Sequence, residues 1–189
     1  MPGFQFKIEI EESNPKIWRR IIVPYEYTFY KLHLAIQGAF GWENSHLFQF
    51  SKNGFMDKIN YAELHRDIND EPEFVTKDAR REKIKKVFVK QDHFKYIYDF
   101  GDNWEHNIKV EEIVEEEIER PYCIEGGGAC PPEDCGSLRG YAAMVKCLNT
   151  PGDPEREQYI EWLGLLPKEK WDANFCSVRE VNKRLCLLE

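Results

Sequence analysis

Phe94-Lys95-Tyr96-Ile97-Tyr98-Asp99-Phe100-Gly101-Asp102-Asn103-Trp104-Glu105-His106-Asn107-Ile108-Lys109-Val110 is the stretch whose reading decides the fold. Up to Tyr98 aromatic and other residues alternate, the pattern of a half-buried strand. Asp99 to Asn103 is turn chemistry, with Gly101 suited to positive φ and two Asp residues suited to bonding backbone N–H groups. Alternation resumes at Trp104. Trp104, His106, Ile108 and Val110 then share one face, and Glu105, Asn107, Lys109 and Glu111 the other. The segment is a long antiparallel hairpin with ionisable groups at its tip.

Further hairpins flank it. Phe4, Phe6, Ile8 and Ile10 alternate with polar residues; Ser13-Asn14-Pro15 turns the chain; Ile17 to Val23 returns, and Pro24 ends the strand. Thr28 caps a helix to about Phe40, stopped by Gly41, with Phe29, Leu32, Ile36 and Phe40 as its apolar stripe and His33 on the same side. Leu47 to Phe50 is a short strand. Asn53-Gly54 predicts a tight turn with Phe55 to Ile59 pairing back, and 60–74 reads as an irregular excursion. Thr76 predicts a short basic helix to Val87 or Phe88, carrying Lys77, Arg80, Arg81, Lys83, Lys85 and Lys86. Pro121 to Gly140 reads as an irregular loop rich in glycine, proline and cysteine. Three helices follow, with Gly140 opening the first, Asp153-Pro154 starting the second, and Ser177-x-x-Glu180 boxing the start of the last.

These elements predict an α+β fold: an antiparallel-dominated sheet built from hairpins, helices packed on one face and a C-terminal helical segment. The 189 residues fit one domain, with 1–120 mainly sheet plus one long helix, 121–140 the loop and 141–189 helical. At 42% hydrophobic and 14% aromatic the chain has material for a core. A net charge of −8 argues against non-specific duplex binding, and a protein or small ligand is the expected partner before nucleic acid. No long apolar run reads as a membrane span, and no leader pattern is visible at the N-terminus. Six cysteines without a secreted-scaffold spacing fit reduced thiols and a cytoplasmic location.

Two sets of residues carry candidate chemistry. Asp99, Asp102, His106 and Glu133 are the candidate catalytic or ion-holding groups, since imidazole and carboxylates together bind divalent ions or move protons. The plainer reading of the same cluster is a capped turn with a satisfied core histidine. Arg19, Arg20, His46 and Trp104 are candidate ligand-binding residues; the two arginines are adjacent and so face opposite sides of their strand. Cys123, Cys130 and Cys135, with His106 or His46, form a candidate zinc set, although neither spacing is a Cys-x2-Cys knuckle. In the plainer reading these thiols pack as small apolar groups, and Glu133 and Asp134 cap the next helix. The Asp99-Phe100-Gly101 string is not a kinase motif, because no Gly-rich loop or His-Arg-Asp loop precedes it, and the glycine run lacks the Gly-Lys-Ser/Thr ending of a P-loop.

Pro15-x-Ile17-Trp18-Arg19-Arg20, Leu32-His33-x-x-Ile36-Gln37, Gly41-Trp42-x-x-x-His46-Leu47, Tyr98-Asp99-Phe100-Gly101-Asp102-x-Trp104-x-His106 and Ala129-Cys130-Pro131-Pro132-Glu133-Asp134 together resemble the pRiA plasmid open-reading-frame-three family. The C-terminal Trp162-Leu163-Gly164 and Val181-Asn182-x-Arg184-Leu185 fit as well, whereas Lys170-Trp171-Asp172-Ala173 stands where that family usually shows Phe-Asp-Pro. The resemblance implies a bacterial or archaeal protein associated with plasmids and insertion elements, and names no reaction. Three functions follow as expectations: a cytoplasmic binding or accessory module with its site between the central hairpin and the cysteine loop; a metal-dependent hydrolase of phosphoesterase or nuclease type; or a nucleic-acid factor of mobile elements using the basic segment.

Overall fold

The computed structural model describes residues 1–64 and 74–188. Its frame is one eight-stranded sheet. The strands are β1 (Gly3–Ile10), β2 (Trp18–Pro24), β3 (Phe48–Ser51), β4 (Ile59–Ala62), β5 (Val75–Asp78), β6 (His93–Tyr98), β7 (Trp104–Val114) and β8 (Tyr122–Gly127). Their order across the sheet is β5-β4-β3-β6-β7-β1-β2-β8, antiparallel throughout except that β5 runs parallel to β4. The fold is therefore α+β with a mainly antiparallel sheet. The helices are α1 (Phe29–Phe40), α2 (Ser137–Asn149), α3 (Arg156–Leu163) and α4 (Val178–Leu185).

Alternation in β1, β6 and β7 sets which face is buried. Phe4, Phe6, Ile8 and Ile10 of β1, Phe94, Tyr96 and Tyr98 of β6, and Trp104, His106, Ile108 and Val110 of β7 all point into one core, against the apolar stripe of α1. Burying so many rings is the largest favourable contribution to this fold, on the order of 25 cal/mol per Å² of apolar surface removed from water. Helix α1 begins and ends where its sequence dictates. The Thr28 hydroxyl accepts from the Lys31 N–H at 3.2 Å, and Gly41 takes the left-handed conformation (φ 88°) that closes the helix. Arg19, buried in β2, caps the same end by donating from Nε to the Ala39 carbonyl at 3.1 Å.

Four local expectations are corrected. Asn53-Gly54 does not close a two-residue hairpin: β3 pairs with Ile59–Ala62, across a longer loop whose N–H groups at Lys52 and Asn53 are taken by the Asp57 carboxylate. The excursion expected at 60–74 accordingly loses its first residues to β4, while 65–73 lie outside the described residues. The helix expected from Thr76 is instead strand β5, a turn and one 3₁₀ turn at Ile84–Lys86. Pro121–Gly140 is not all loop. Its Tyr122–Gly127 segment is β8, which pairs with β2, and α2 begins at Ser137 before Gly140.

Among the described residues no strand lies beside the outer edge of β8, yet its central peptide is paired. Asn182 of α4 accepts from the Cys123 N–H at 2.7 Å and donates to the Cys123 carbonyl at 2.8 Å, so one side-chain amide imitates a neighbouring strand.

Two histidines lie fully inside the core. His33 stacks on Phe48 and bridges the Tyr96 hydroxyl and Asn44 Oδ1; His106 donates from Nδ1 to the Trp104 carbonyl. Burial pulls both pKa values down to about 4, so both rings are neutral in the fold. The unfolded chain binds protons to them near pH 6.5. Their contribution to stability is thus complete above about pH 6.5 and is lost as pH falls toward about 4. Denaturant melts should show stability dropping by several kcal/mol between pH 7 and pH 4.5, and the drop should shrink in a His106→Gln variant that still folds. Asn182→Ala should cost about 1–3 kcal/mol by orphaning both Cys123 backbone groups, measured in the same melts.

Candidate functional site

Three segments meet at one end of the sheet: the tip of the β6–β7 hairpin, the turn from α1 into β3, and the loop between β8 and α2. Each is held by identifiable contacts. Trp42, in the turn after α1, is buried against the Phe40, Tyr98 and Trp104 rings and donates its indole N–H to the Pro131 carbonyl at 2.9 Å. Asp102 at the hairpin tip accepts from the Gly136 N–H at 3.0 Å. Glu133 joins all three segments: its Oε1 accepts from the Glu43 N–H at 2.8 Å and from the Tyr98 hydroxyl at 2.9 Å. Burial and the neighbouring Glu133 carboxylate push the Tyr98 phenol well above its ordinary value, so it stays a donor.

His46 stands at the centre of this seam. Its Nε2 lies 3.0 Å from Asp134 Oδ1, 3.7 Å from Asp99 Oδ2 and 3.9 Å from Glu133 Oε2. None of these approaches has the geometry of a hydrogen bond; His46 Nε2 and Glu133 Oε2 are shut off from solvent without a partner. Asp99 and Glu133 share one design feature. Each has one oxygen fixed, Asp99 Oδ1 by the Gly101 N–H at 2.9 Å, and the other turned toward the imidazole. Among the described residues, His46, Asp99 and Asp134 form the one group of three histidine, cysteine or acidic side chains whose ligand atoms all lie within 4.8 Å of one another. In a four-coordinate site with bonds of about 2.0–2.2 Å, neighbouring ligand atoms stand about 3.3–3.6 Å apart. The two spacings from His46 to the aspartates bracket that value.

The turn itself differs from its expectation. Asp99 and Asn103, each with φ 54°, take the left-handed positions, and Gly101 does not. The Asn103 N–H closes the turn on the Asp99 carbonyl at 2.6 Å, while the Asp99 N–H donates to the Leu47 carbonyl. Glu133 and Asp134 do not cap α2; its N-cap is Gly136, without a side-chain hydrogen bond. Asp134 is therefore the seam residue that sequence reasoning missed. Its one sequence signal was its place in the Cys-Pro-Pro-Glu-Asp string beside Glu133.

The remaining candidates are placed elsewhere. His106 is fully buried on the core face, edge-on to Phe40 and Trp42, away from the seam carboxylates. Trp104 is also core. Cys123, Cys130 and Cys135 do not converge with one another or with a histidine within ligating distance among the described residues. Cys123 donates instead to the Glu125 carbonyl, and burial raises its thiol pKa and, more strongly, those of Cys130 and Cys135. Arg19 and Arg20 face opposite sides as expected. Arg20 is bound to Glu111 and Glu125 on the polar face, and Arg19 donates to the carbonyls of Trp18, Ala39, Gly127 and Gly128. The basic segment is internally matched: Lys83 and Lys85 meet Glu26, Arg80 meets Glu63 and stacks on Tyr30, and Arg81 meets Asp78.

Residues 2–180 match the family described as Plasmid pRiA4b ORF-3-like protein. The chain belongs to that family. It is 33% identical over 181 residues to the uncharacterized protein y4hQ of Sinorhizobium fredii, an alignment covering 93% of this chain and 88% of that one. It also resembles the crystal structure of a protein of unknown function, MM3350, from Methanosarcina mazei Go1, with TM-score 0.77 and 32% identity over 95% of this chain and 96% of that one. The family match spans the whole seam, from Trp42 and His46 through Asp99 to Asp134. Among the described residues no helix is long and apolar enough to cross a membrane.

If Glu133 is the joint between the three segments, Glu133→Ala should orphan the Glu43 N–H and the Tyr98 hydroxyl. The expected loss is about 1–3 kcal/mol in a denaturant melt, with Tyr98→Phe costing about 1 kcal/mol or less.

Proposed function

We propose that the protein is a cytoplasmic binding module whose seam takes one divalent transition-metal ion through His46 Nε2 and one oxygen each of Asp99 and Asp134. The observation that carries this reading is the mutual approach of those three ligand atoms, with no hydrogen bond from His46 Nε2 to account for it. One imidazole and two carboxylates suit zinc, manganese or iron rather than a soft ion. The oxygens of Asp99 and Glu133 that face away from His46 are already anchored, which fixes the carboxylate orientation before an ion arrives. Three protein ligands leave a coordination position for a ligand or partner oxygen, and Asp134 lies on the exposed rim where one would enter. Six free thiols accord with a reducing compartment.

Glu133 favours a second reading. Its unpartnered Oε2 beside His46 is placed as a general base would be for a metal-dependent hydrolase. That chemistry also calls for a cation to hold the substrate anion. Among the described residues neither Arg19 nor Arg20 makes a hydrogen bond or ion pair with His46, Asp99, Glu133 or Asp134, so the binding reading stands first.

Thermal melts of chelator-treated protein with added Zn²⁺ or Mn²⁺ test both. Saturation at about a hundred times Kd should stabilise the fold by about 2.7 kcal/mol. The gain should vanish in His46→Ala and Asp134→Asn and persist in Cys130→Ser. No gain with either ion, or a gain that Cys130→Ser removes, contradicts the reading. Metal-dependent cleavage of bis(p-nitrophenyl) phosphate that is lost in Glu133→Gln would move the hydrolase reading to first place.

A further inference from the structure

Behind the 129–132 part of the seam loop, a cavity of about 390 Å³ opens between the C-terminal end of α1, the start of α4 and the segment after α3, without His46, Asp99, Glu133 or Asp134 in its lining. Arg19 and Arg184 both line it, and so do the apolar surfaces of Phe40, Leu163, Trp171 and Phe175. The walls are held in place by polar contacts behind them. The Trp171 indole donates to the Tyr141 hydroxyl, that hydroxyl donates to the Ala129 carbonyl, and the Ala129 N–H donates to the Ala173 carbonyl.

The two arginines are incompletely matched. Arg19 is 3% exposed and has no carboxylate partner among the described residues; its Nε and Nη1 go to carbonyls, leaving Nη2. Arg184 spends Nε on the Gly38 carbonyl at 2.8 Å, and its two terminal nitrogens make no hydrogen bond among the described residues. Both therefore cap α1, but a helix C-terminus offers only about half a negative charge. The cavity's one carboxylate, Glu180, is paired with Lys183 at 2.8 Å. Partial burial lowers the Arg184 pKa and the nearby Arg19 charge adds to that, while Glu180 opposes it in part. Arg19, desolvated and without a carboxylate, is costly to bury unless an anion joins it, whereas Arg184 stands at the exposed mouth of the cavity. The chain as a whole is acidic, so this local surplus of positive charge is a particular feature of the cavity.

We propose that this cavity binds a small organic acid, its carboxylate between Arg184 and the Nη2 of Arg19 and its apolar body against Phe40, Trp171 and Phe175. A guanidinium presents paired N–H groups that match a carboxylate, and a mainly apolar lining with a few polar groups is how small-ligand sites are built. The bound acid would close the charge that α1 leaves open and cover Phe175, which is 61% exposed.

Ligand-observed NMR with three probes tests this on the intact chain: phenylacetate, the neutral phenylacetamide, and acetate. Phenylacetate is expected to bind about tenfold more tightly than either of the others, since only it offers both charge and ring. Arg184→Ala should reduce phenylacetate to the level of the amide. Phe175→Ala, an exposed position, should weaken phenylacetate and leave acetate unchanged. Arg20→Ala, on the opposite face, should change nothing. Equal binding of the three probes, absence of binding, or full phenylacetate affinity in folded Arg184→Ala overturns the proposal.

Discussion

Glu133 is the constraint on which the candidate site depends. One carboxylate oxygen accepts from the peptide after Trp42 and from the Tyr98 phenol, and so fixes the 128–136 loop against both the α1–β3 turn and the last residue of β6. A carboxylate accepting two donors in a sheltered place is among the stronger neutral-pH contacts a chain can make. Trp42 reinforces it from the apolar side by stacking on Tyr98 and bonding the Pro131 carbonyl. Without that joint the 128–136 loop is tied to the seam only through Pro131 and Gly136, on either side of Asp134, and its approach to His46 loses its nearest support.

Behind the joint lies a buried polar network that sets the path of the turn carrying His46. Tyr96, His33, Gln37 and Asn44 exchange hydrogen bonds inside an aromatic core, and Asn44 takes a left-handed backbone conformation with its N–H on Gln37 Oε1. Such a network is favourable only while every member is satisfied. It also explains why His33 lies in the stripe of α1: the ring is a spacer with two defined hydrogen bonds, kept neutral by burial. The turns that carry the site are thus supported from within by a packed core, which is what orienting a small ion or ligand requires.

The sequence made much of the frame legible, for physical reasons. Period-two burial in β1, β6 and β7, and a helix bounded by Thr28 and Gly41, follow from local chemistry alone. The errors arise where tertiary contact overrules local signals. Strand β5 and the segment after it look helical and basic, yet the four residues of β5 extend because β4 pairs with them, and the cations that follow are met by Glu26, Glu63 and Asp78. Strand β8 looks like loop because of its glycines, but Gly126 and Gly127 are packing requirements: a Cβ there would lie 2.8 Å from Cys176 Sγ and from Trp18 Nε1 respectively. For the site, the sequence put His46, Asp99 and Glu133 forward, while His106, which alternation placed on the core face, came forward with the turn acids because it is close to them in the chain. Asp134 was hidden because only the fold of the 128–136 loop brings it to His46.

The central claim is that an ion is held by one imidazole and two aspartates, and not by the thiols a few residues away. The visible and near-ultraviolet spectrum of the Co²⁺-substituted protein tests this most directly, because thiolate ligation produces intense charge-transfer absorption and nitrogen–oxygen ligation does not. The account predicts weak d–d bands that saturate at one equivalent, with no thiolate charge transfer, and that disappear in His46→Ala. A strong thiolate band, or a spectrum no different from aqueous cobalt, would contradict it.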